Sequence, residues 1–324
     1  DYITLGLLEE LVHCEAIAME YFVDQFRLFM DRAMVETLPK PMHSGVVDLS
    51  STLSEEIKTY FGTPLEYARL LGSRTSDLHR ALAGVPDADF APEPFTDFYR
   101  QSLYHGLLGT LGRTMDSLRQ NSGLLPENAR SAAQQLLASE SVLRSVLKPL
   151  RESRIFCNRI RLHGDLHLDQ VLFTGKDFMF VDFEGDPSRP ASERRIKAAS
   201  ARDLAAMVWS FHYAANAVFH RDPAGLAGVL ERAETRERAQ AWADLWAHWM
   251  ANEFLRSYVK CSAGAGLLPP EEDNSKLLVD CYLIDRACRE LQYNLVQSSP
   301  WVTVPLQGLL QLVHARAVPQ GVLV

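Results

Sequence analysis

The stretch from Arg161 to Arg189 constrains this chain more than any other part of the sequence. Two acids, Asp165 and Asp182, lie in loops at either end of a predicted β-hairpin, and an amide, Gln170, follows the first acid by five residues. The hairpin is predicted because two short apolar, β-prone runs are separated by a turn that contains Gly175. This spacing is typical of phosphoryl transfer.

Phosphoryl transfer needs little covalent help from a protein, but it needs a carboxylate near the acceptor hydroxyl and oxygen ligands for magnesium. In the kinase catalytic loop, a metal-binding Asn follows the catalytic Asp at this same spacing, and a second metal-binding Asp arrives after a short hairpin. Asp165, Gln170 and Asp182 would hold these three roles. The residues alone therefore agree with a phosphoryl-transfer site that holds Mg²⁺.

Two other interpretations compete for the same residues. His163, Asp165 and His167 alternate along one face of an extended segment, as zinc ligands can, but no further His cluster completes a tetrahedral set. A Gly-Asp pair before a strand is also often only a turn. The presence of both loops at the right separation favours the kinase interpretation over a metallohydrolase.

The two loops also carry a family resemblance. His-Gly-Asp-Leu-His-Leu-x-Gln-Val-Leu, followed by Asp-Phe-Glu-Gly-Asp-Pro, resembles the bacterial maltokinase family. This family is a branch of the aminoglycoside-phosphotransferase-like kinases and is often fused to trehalose synthase. The resemblance implies ATP- and Mg²⁺-dependent phosphorylation of maltose to maltose 1-phosphate.

By the resemblance, Asp165 is the catalytic base or the residue that orients the acceptor, and Gln170 and Asp182 are magnesium ligands. His163 would be a structural member of the catalytic loop. Asp169 departs from the family pattern, in which Gly is expected.

The predicted fold is mostly α with a small catalytic β-hairpin, as in a protein-kinase-like C-terminal lobe. Residues 1–12 are predicted as a strand, and the resemblance implies that it is a hinge strand at the end of a missing N-lobe, with Glu10 and Leu11 meeting adenine through their backbone. Residues 13–324 would form the helical lobe, with the catalytic hairpin within 160–189. No Gly-rich phosphate loop and no upstream strand with a phosphate-binding Lys are present, so we expect the isolated fragment to be inactive. The alternative is that the first strand is an edge strand of a complete domain.

Further candidate residues follow the core motif. Asp203 lies early in a predicted helix, where its carboxylate could hold backbone amides of the catalytic loop. The resemblance implies that Arg286, Glu290, Tyr293 and Trp301 form the acceptor wall, because sugar hydroxyls need directional polar partners and pyranose faces need flat apolar surfaces.

The acceptor wall also departs from the family. Arg289, Gln292 and Asn294 stand where the pattern leads us to expect Tyr, Arg and Glu. The loss of charged hydroxyl partners could redirect or abolish maltose recognition.

Two patterns have both a structural and a functional interpretation. Trp242, Trp246 and Trp249 lie on one helical face, which would suit sugar stacking but more often indicates core packing, the interpretation we favour. The basic run 189–195 is either a solvated face or a group that positions phosphate or acceptor.

Composition limits the remaining choices. A net charge of -8 and a pI near 5.7 argue against a nucleic-acid partner. No apolar run is long enough to span a bilayer and no signal peptide is recognisable, so a cytoplasmic protein without a membrane partner is predicted. The expected partners are a small sugar acceptor, the N-lobe and a fused trehalose-synthase domain. Two alternatives remain, a kinase for another small hydroxylated acceptor and a non-catalytic module fused to a trehalose-synthase or amylase-type enzyme.

Overall fold

The computed structural model describes residues 11–35, 53, 55–187, 189–221 and 233–317. Helices dominate these ranges, which confirms the mostly α fold class. In chain order they are α1 (Ala18–Val35), α2 (Glu55–Phe61), α3 (Thr63–Ala83), α4 (Asp97–Asn121), α5 (Glu127–Ala138), α6 (Glu140–Leu147), α7 (Ala191–Arg194), α8 (Ala201–Arg221), α9 (Ala233–Cys261), α10 (Glu272–Val296) and α11 (Thr303–Ala317). None of the helices described here is both long enough and apolar enough to cross a membrane.

Two small antiparallel sheets interrupt the helices. Their strands are β1 (Ala16–Ile17), β2 (Glu93–Pro94), β3 (Asn158–Ile160), β4 (Val171–Phe173), β5 (Phe178–Phe180) and β6 (Ala198–Ala199). One sheet has the order β1-β4-β5 and the other has the order β2-β3-β6. The predicted hairpin is therefore present as β4 and β5, with Val171 opposite Phe180.

The tip of this hairpin is fastened to α3. Gly175 takes a φ of +83°, a left-handed conformation that favours glycine, and its carbonyl accepts a 3.0 Å bond from the Tyr67 hydroxyl. Beside it, the guanidinium of Arg74 donates two bonds of 2.8 and 2.9 Å to the Asp177 carboxylate. The hairpin is thus held in place from the side of the helical core.

The core lies between α1, α3, α8, α9 and α10. Phe22 and Phe26 of α1 contact Trp246 of α9, with ring centroids 6.2 and 5.2 Å apart. Trp242 and Trp249 are also buried. The three Trp residues of this helix are therefore core residues, as their spacing indicated, and they offer no exposed platform for a sugar.

The predicted hinge strand falls almost wholly outside the described residues. Residues 1–10 are among those not described, and Leu11 and Val12 are not part of a strand. The first described strand is instead β1, which pairs with β4 directly before α1 begins. The division of the chain at residue 12 stays a prediction.

The close crossing of α3 and α9 supplies a stability prediction. A Cβ at Gly72 would overlap the carbonyl oxygen of Phe254 and lie 3.0 Å from Ser257 Cβ. We expect Gly72→Ala to lower the free energy of unfolding by about 1–3 kcal/mol, because two packed backbones must move apart. Gly106→Ala is the control, since Gly106 lies in the exposed face of α4 with open space around it. It should raise stability by about 0.5–1 kcal/mol. Urea unfolding measures both, and equal stability of the two variants would contradict the close crossing.

Candidate functional site

The candidate catalytic loop follows β3 and is held by the carboxylate of Asp203. Its two oxygens accept bonds from the backbone N–H groups of His163, at 3.0 Å, and Gly164, at 3.1 Å. The His163 ring accepts a 3.4 Å bond from the Asp165 N–H at Nδ1, so its Nε2 carries the proton and donates to the Val181 carbonyl at 2.8 Å. The loop is thereby tied to the segment that carries Asp182.

Asp203 is itself fixed from behind. His79 lies 3.2 Å from its carboxylate through Nε2, and the other ring nitrogen of His79 bonds the hydroxyl of Tyr258 at 2.8 Å. All three side chains are buried. Burial alone would raise the pKa of Asp203, but the hydrogen bond and charge of His79 outweigh it and hold the pKa below its ordinary value. His79 is thus a buried partner of the acid.

Asp165 lies between two cationic side chains. Arg286 Nη1 donates a 2.9 Å bond to Oδ1, and His167 Nε2 lies 3.5 Å from Oδ2. Burial would raise the pKa of Asp165, but the hydrogen bond from His167 and the charge of Arg286 hold it well below the usual range for a carboxyl. Asp165 is therefore an ionised acceptor of hydrogen bonds and a weak base.

Asp169, the residue that departs from the family pattern, pairs with His167. Its carboxylate lies 3.3 Å from His167 Nδ1, so the imidazole bridges two acids. Sequence reasoning missed this pairing and treated His167 only as a member of an unlikely zinc set. The signal was the sequence of acid, His and acid at positions 165, 167 and 169, which puts a side chain that can carry positive charge between two acids within a short stretch.

This bridge supplies a pH prediction. Burial lowers the pKa of His167, but the bonds to Asp165 and Asp169 outweigh it and raise the pKa to about 9. Because the pKa is raised in the folded state, the stability that His167 contributes is complete below its unfolded pKa of about 6.5 and is lost as the pH rises through 9. Histidine NMR titration should show His167 charged at neutral pH, and Asp169→Gly should lower its pKa. A His167 midpoint near the unfolded value in the parent chain would contradict the bridge.

Gln170 and Asp182 lie at the same end of the hairpin. The Val181 N–H donates to the Gln170 carbonyl at 3.1 Å, which brings the residue before Asp182 beside Gln170. Asp182 is exposed and has a φ of 66°, a conformation that is uncommon for a residue other than Gly. The loop that carries Asp165 and the loop that carries Asp182 also approach each other closely at two glycines. A Cβ added to Gly164 would lie only 3.3 Å from Gly185 Cα.

Gln170 and Asp182 carry oxygen donors of the type that magnesium takes in proteins. Within the described ranges, no group of three or more His, Cys, Asp or Glu side chains could hold a metal ion by itself. Magnesium takes few protein ligands when phosphate and water oxygens complete its shell. An amide oxygen and an exposed carboxylate at one end of the hairpin are donors of the required type.

One of the predicted acceptor residues on α10, Arg286, contacts Asp165 directly. Arg286 connects the two groups, because its Nη1 bonds Asp165 and its Nη2 lies 3.2 Å from Glu290 Oε1. Tyr293, one turn further along, is 66% exposed. This face of the helix therefore presents a cation and an acid near the candidate catalytic carboxylate, with an exposed aromatic ring one turn beyond the acid.

Trp301 is arranged differently. Its ring lies 5.1 Å from Tyr213 and 4.6 Å from His220, stacked on each. Those two residues are seven positions apart on α8, about 10 Å along the axis, so the indole must lie between them. Both faces of the indole are covered by protein rings, which leaves only its edge for contact with a sugar.

The three departures from the family pattern have separate surroundings. Arg289 donates a 2.8 Å bond to Asp285. Gln292 bonds the Thr114 hydroxyl at 2.8 Å, and the buried Asn294 bonds the Glu290 carbonyl at 2.9 Å within its own helix. Gln292 and Asn294 are therefore packing residues. Of the three, only Arg289 can change the charge of the candidate acceptor wall.

A second ion-pair network, which sequence reasoning did not identify, lies beside the first. Arg189 Nη2 lies 3.4 Å from Asp285 Oδ2, and Arg189 Nε lies 3.5 Å from Asp186 Oδ2. Burial and the charges of Arg202 and Arg289 lower the pKa of Arg189. In the basic run 189–195, the first member is thus partly buried and paired, whereas Arg195 is exposed.

Nothing described bears on the adenine prediction. Glu10 lies outside the described residues, and Leu11 is 82% exposed. Contact of these two residues with a nucleotide stays a prediction.

Comparison with known proteins gives short local matches. No family model matches the chain. A 64-residue stretch is 34% identical to a glucosamine kinase of Streptacidiphilus jiangxiensis, covering 20% of this chain and 15% of that protein. A 76-residue stretch is 41% identical to a glucosamine kinase of Mycolicibacterium smegmatis, covering 22% of this chain and 19% of that protein.

Solved structures give a match over nearly the whole chain. A glucosamine kinase in complex with glucosamine, ADP and inorganic phosphate has a TM-score of 0.62 at 21% identity, over 93% of this chain and 61% of that one. A second crystal form of a glucosamine kinase gives 0.60 at 21% identity, over 92% and 59%. The chain therefore has the fold of part of a sugar kinase and spans about three fifths of the length of those structures.

Proposed function

We propose that this chain is the catalytic lobe of an ATP-dependent kinase for a small sugar. The observation that carries the proposal is the position of Asp165. Its loop is held by Asp203, its carboxylate faces the polar side of α10, and the same loop is bonded to the segment that carries Asp182. Similarity to glucosamine kinases in fold and in short stretches supports the same reaction class.

In this reaction, the acceptor hydroxyl donates a hydrogen bond to Asp165. The bond between the γ-phosphorus and its bridging oxygen breaks, a new bond forms from phosphorus to the acceptor oxygen, and ADP leaves. Because the transition state is loose, the acceptor proton needs to reach Asp165 only late, which suits a carboxylate of depressed pKa. Magnesium held by Gln170 and Asp182 would neutralise charge on the phosphates.

Two acceptors are favoured by different observations. The motif of the catalytic loop favours maltose, phosphorylated at the anomeric hydroxyl, whereas the relatives found by comparison are glucosamine kinases. The α10 face offers both an arginine and a carboxylate, which suit sugar hydroxyls and an ammonium group respectively. Maltose is therefore the first candidate acceptor of the phosphoryl group, and glucosamine is the second.

The proposal includes an N-lobe, since the sequence has no Gly-rich phosphate loop. It also keeps a cytoplasmic location and fusion to trehalose synthase as predictions. The isolated chain should show little turnover, because it holds the ATP phosphates from one side only.

The test is phosphate transfer by a protein that joins this chain to its N-lobe. Maltose, glucosamine, glucose and an aminoglycoside are offered in parallel with ATP and Mg²⁺, and phosphorus NMR identifies the phosphorylated position. Maltose 1-phosphate supports the first acceptor, and a glucosamine phosphate supports the second. Transfer only to the aminoglycoside would contradict a sugar kinase, and tight ATP binding without any transfer would favour the non-catalytic alternative.

A further inference from the structure

A cleft of about 630 Å³ lies beside the second sheet. Its walls are the loop before β2, the residues of β3 and just after it, and the segment directly before β6. None of the residues proposed above for catalysis, metal binding or the acceptor wall lines it. The volume lies in the range of pockets that hold small molecules.

The lining of the cleft is predominantly basic. Its charged residues are the cations Arg159, Arg161, Arg195 and Lys197 and the acids Asp89 and Glu93. One acid, Glu93, serves two of the cations, because its carboxylate lies 2.7 Å from Arg159 Nη2 and 3.1 Å from Lys197 Nζ. This local excess of positive charge stands against a net charge of -8 for the whole chain.

Arg159 and Lys197 build the wall of the cleft. The buried Lys197 donates bonds of 3.1 and 2.7 Å to the carbonyls of Ala88 and Ala91, which fixes the loop before β2. The guanidinium of Arg159 lies over the Tyr99 ring, 4.4 Å from its centroid. Because these cations are already held, the cleft is shaped before any ligand arrives, which lowers the cost of binding.

Arg161 and Arg195 are the two cations left for a ligand. Neither guanidinium pairs with any residue in the described part of the chain, and both line the cleft. Arg161 is half-buried and Arg195 is exposed. Guanidinium groups bind phosphate through two parallel hydrogen bonds, which a dianionic phosphate monoester can accept from two arginines at once.

We propose that this cleft binds a phosphate monoester carried on a small body, such as a phosphorylated sugar, with Arg161 and Arg195 as the phosphate ligands. Phe90 and Ile196 supply apolar surface for the body of the ligand. The hydroxyl groups of a sugar would face the polar wall at Asp89.

The site lies on segments that lead to and from the catalytic loop. Arg161 comes two residues before His163, and Arg195 precedes β6, which pairs with β3 through Ile160 and Ala198. A phosphate held by both arginines would therefore link the residue that follows β3 to the segment that precedes β6. The assignment concerns binding alone and does not rest on the proposed kinase reaction.

The experiment is calorimetric titration of the chain with glucose 6-phosphate in the presence of EDTA, which removes magnesium-dependent binding at Gln170 and Asp182. We expect saturable binding that Arg161→Gln and Arg195→Gln each weaken about 10-fold or more, since each removes a charge-assisted pair. Arg154→Gln is the matched control, because Arg154 is exposed and lies outside the cleft. It makes the same change of charge and should leave the affinity unchanged.

Three outcomes would overturn the proposal. These are no saturable binding by the folded parent chain, equal losses in all three variants, and equal affinity for inorganic phosphate and glucose 6-phosphate. Unchanged thermal unfolding of each variant shows that a loss of binding is not a loss of folding. Glucose without phosphate is titrated in parallel and should not bind.

Discussion

Asp165→Asn is expected to lower phosphate transfer to the proposed sugar acceptor about 100- to 10,000-fold in a protein that joins this chain to the proposed N-lobe. The amide keeps the size of the side chain, but it presents an N–H group where the acceptor hydroxyl needs an oxygen. It also removes the negative charge between Arg286 and His167. The effect should appear in kcat, with little change in ATP affinity, because Asp165 faces the acceptor side.

Two controls accompany this variant. Asp116→Asn removes an exposed acid that pairs with Arg119 on α4, far from the loop in sequence, and should leave turnover unchanged. Thermal unfolding of Asp165→Asn reports any cost of leaving Arg286 without its partner. Turnover near the parent rate in a well-folded Asp165→Asn protein would show that another group receives the acceptor hydroxyl.

Asp203→Ala is expected to lower the free energy of unfolding of the chain by about 3–5 kcal/mol, because each buried donor left without its acceptor costs about 1–3 kcal/mol. It leaves the N–H groups of His163 and Gly164 and the ring of His79 without their acceptor. Asp203→Asn keeps one acceptor oxygen and should cost less, about 1–3 kcal/mol. Urea unfolding at neutral pH measures both variants.

The pH dependence of stability separates the charge of Asp203 from its shape. Because the pKa of Asp203 is lowered in the folded state, its contribution is present above the unfolded value of about 3.9 and is lost as the pH falls through the folded pKa. The parent should therefore lose stability more steeply than Asp203→Asn as the pH falls below about 4. Parallel stability curves would mean that the carboxylate is no more acidic in the folded chain than in the unfolded one.

The sequence predicted the parts of the molecule that depend on local pattern. The hairpin follows from two β-prone runs and a glycine turn, and the burial of the Trp residues of α9 follows from helical spacing. Asp203 lies early in α8, and its carboxylate accepts bonds from the N–H groups of His163 and Gly164.

The parts that could not be predicted depend on contacts between distant segments. Trp301 is enclosed by two rings of α8, and no local pattern indicates that partner. The periodicity of α10, in contrast, could have corrected the expectation that Gln292 belongs to the acceptor wall. Residues 286, 290 and 293 share one face of a helix, whereas Gln292 lies on another, so its bond to Thr114 agrees with simple periodicity.

The pairing of β1 with β4 has a mechanical consequence. Glu15 N–H bonds the Phe173 carbonyl at 2.8 Å, and Ile17 lies opposite Leu172, in the strand that begins directly after Gln170. The other side of β4 carries β5, whose tip is anchored to α3. Tension applied to the chain ahead of Glu15 would therefore load the strand next to the candidate metal ligand before it loaded the helices, and the bond between Arg74 and Asp177 would resist it.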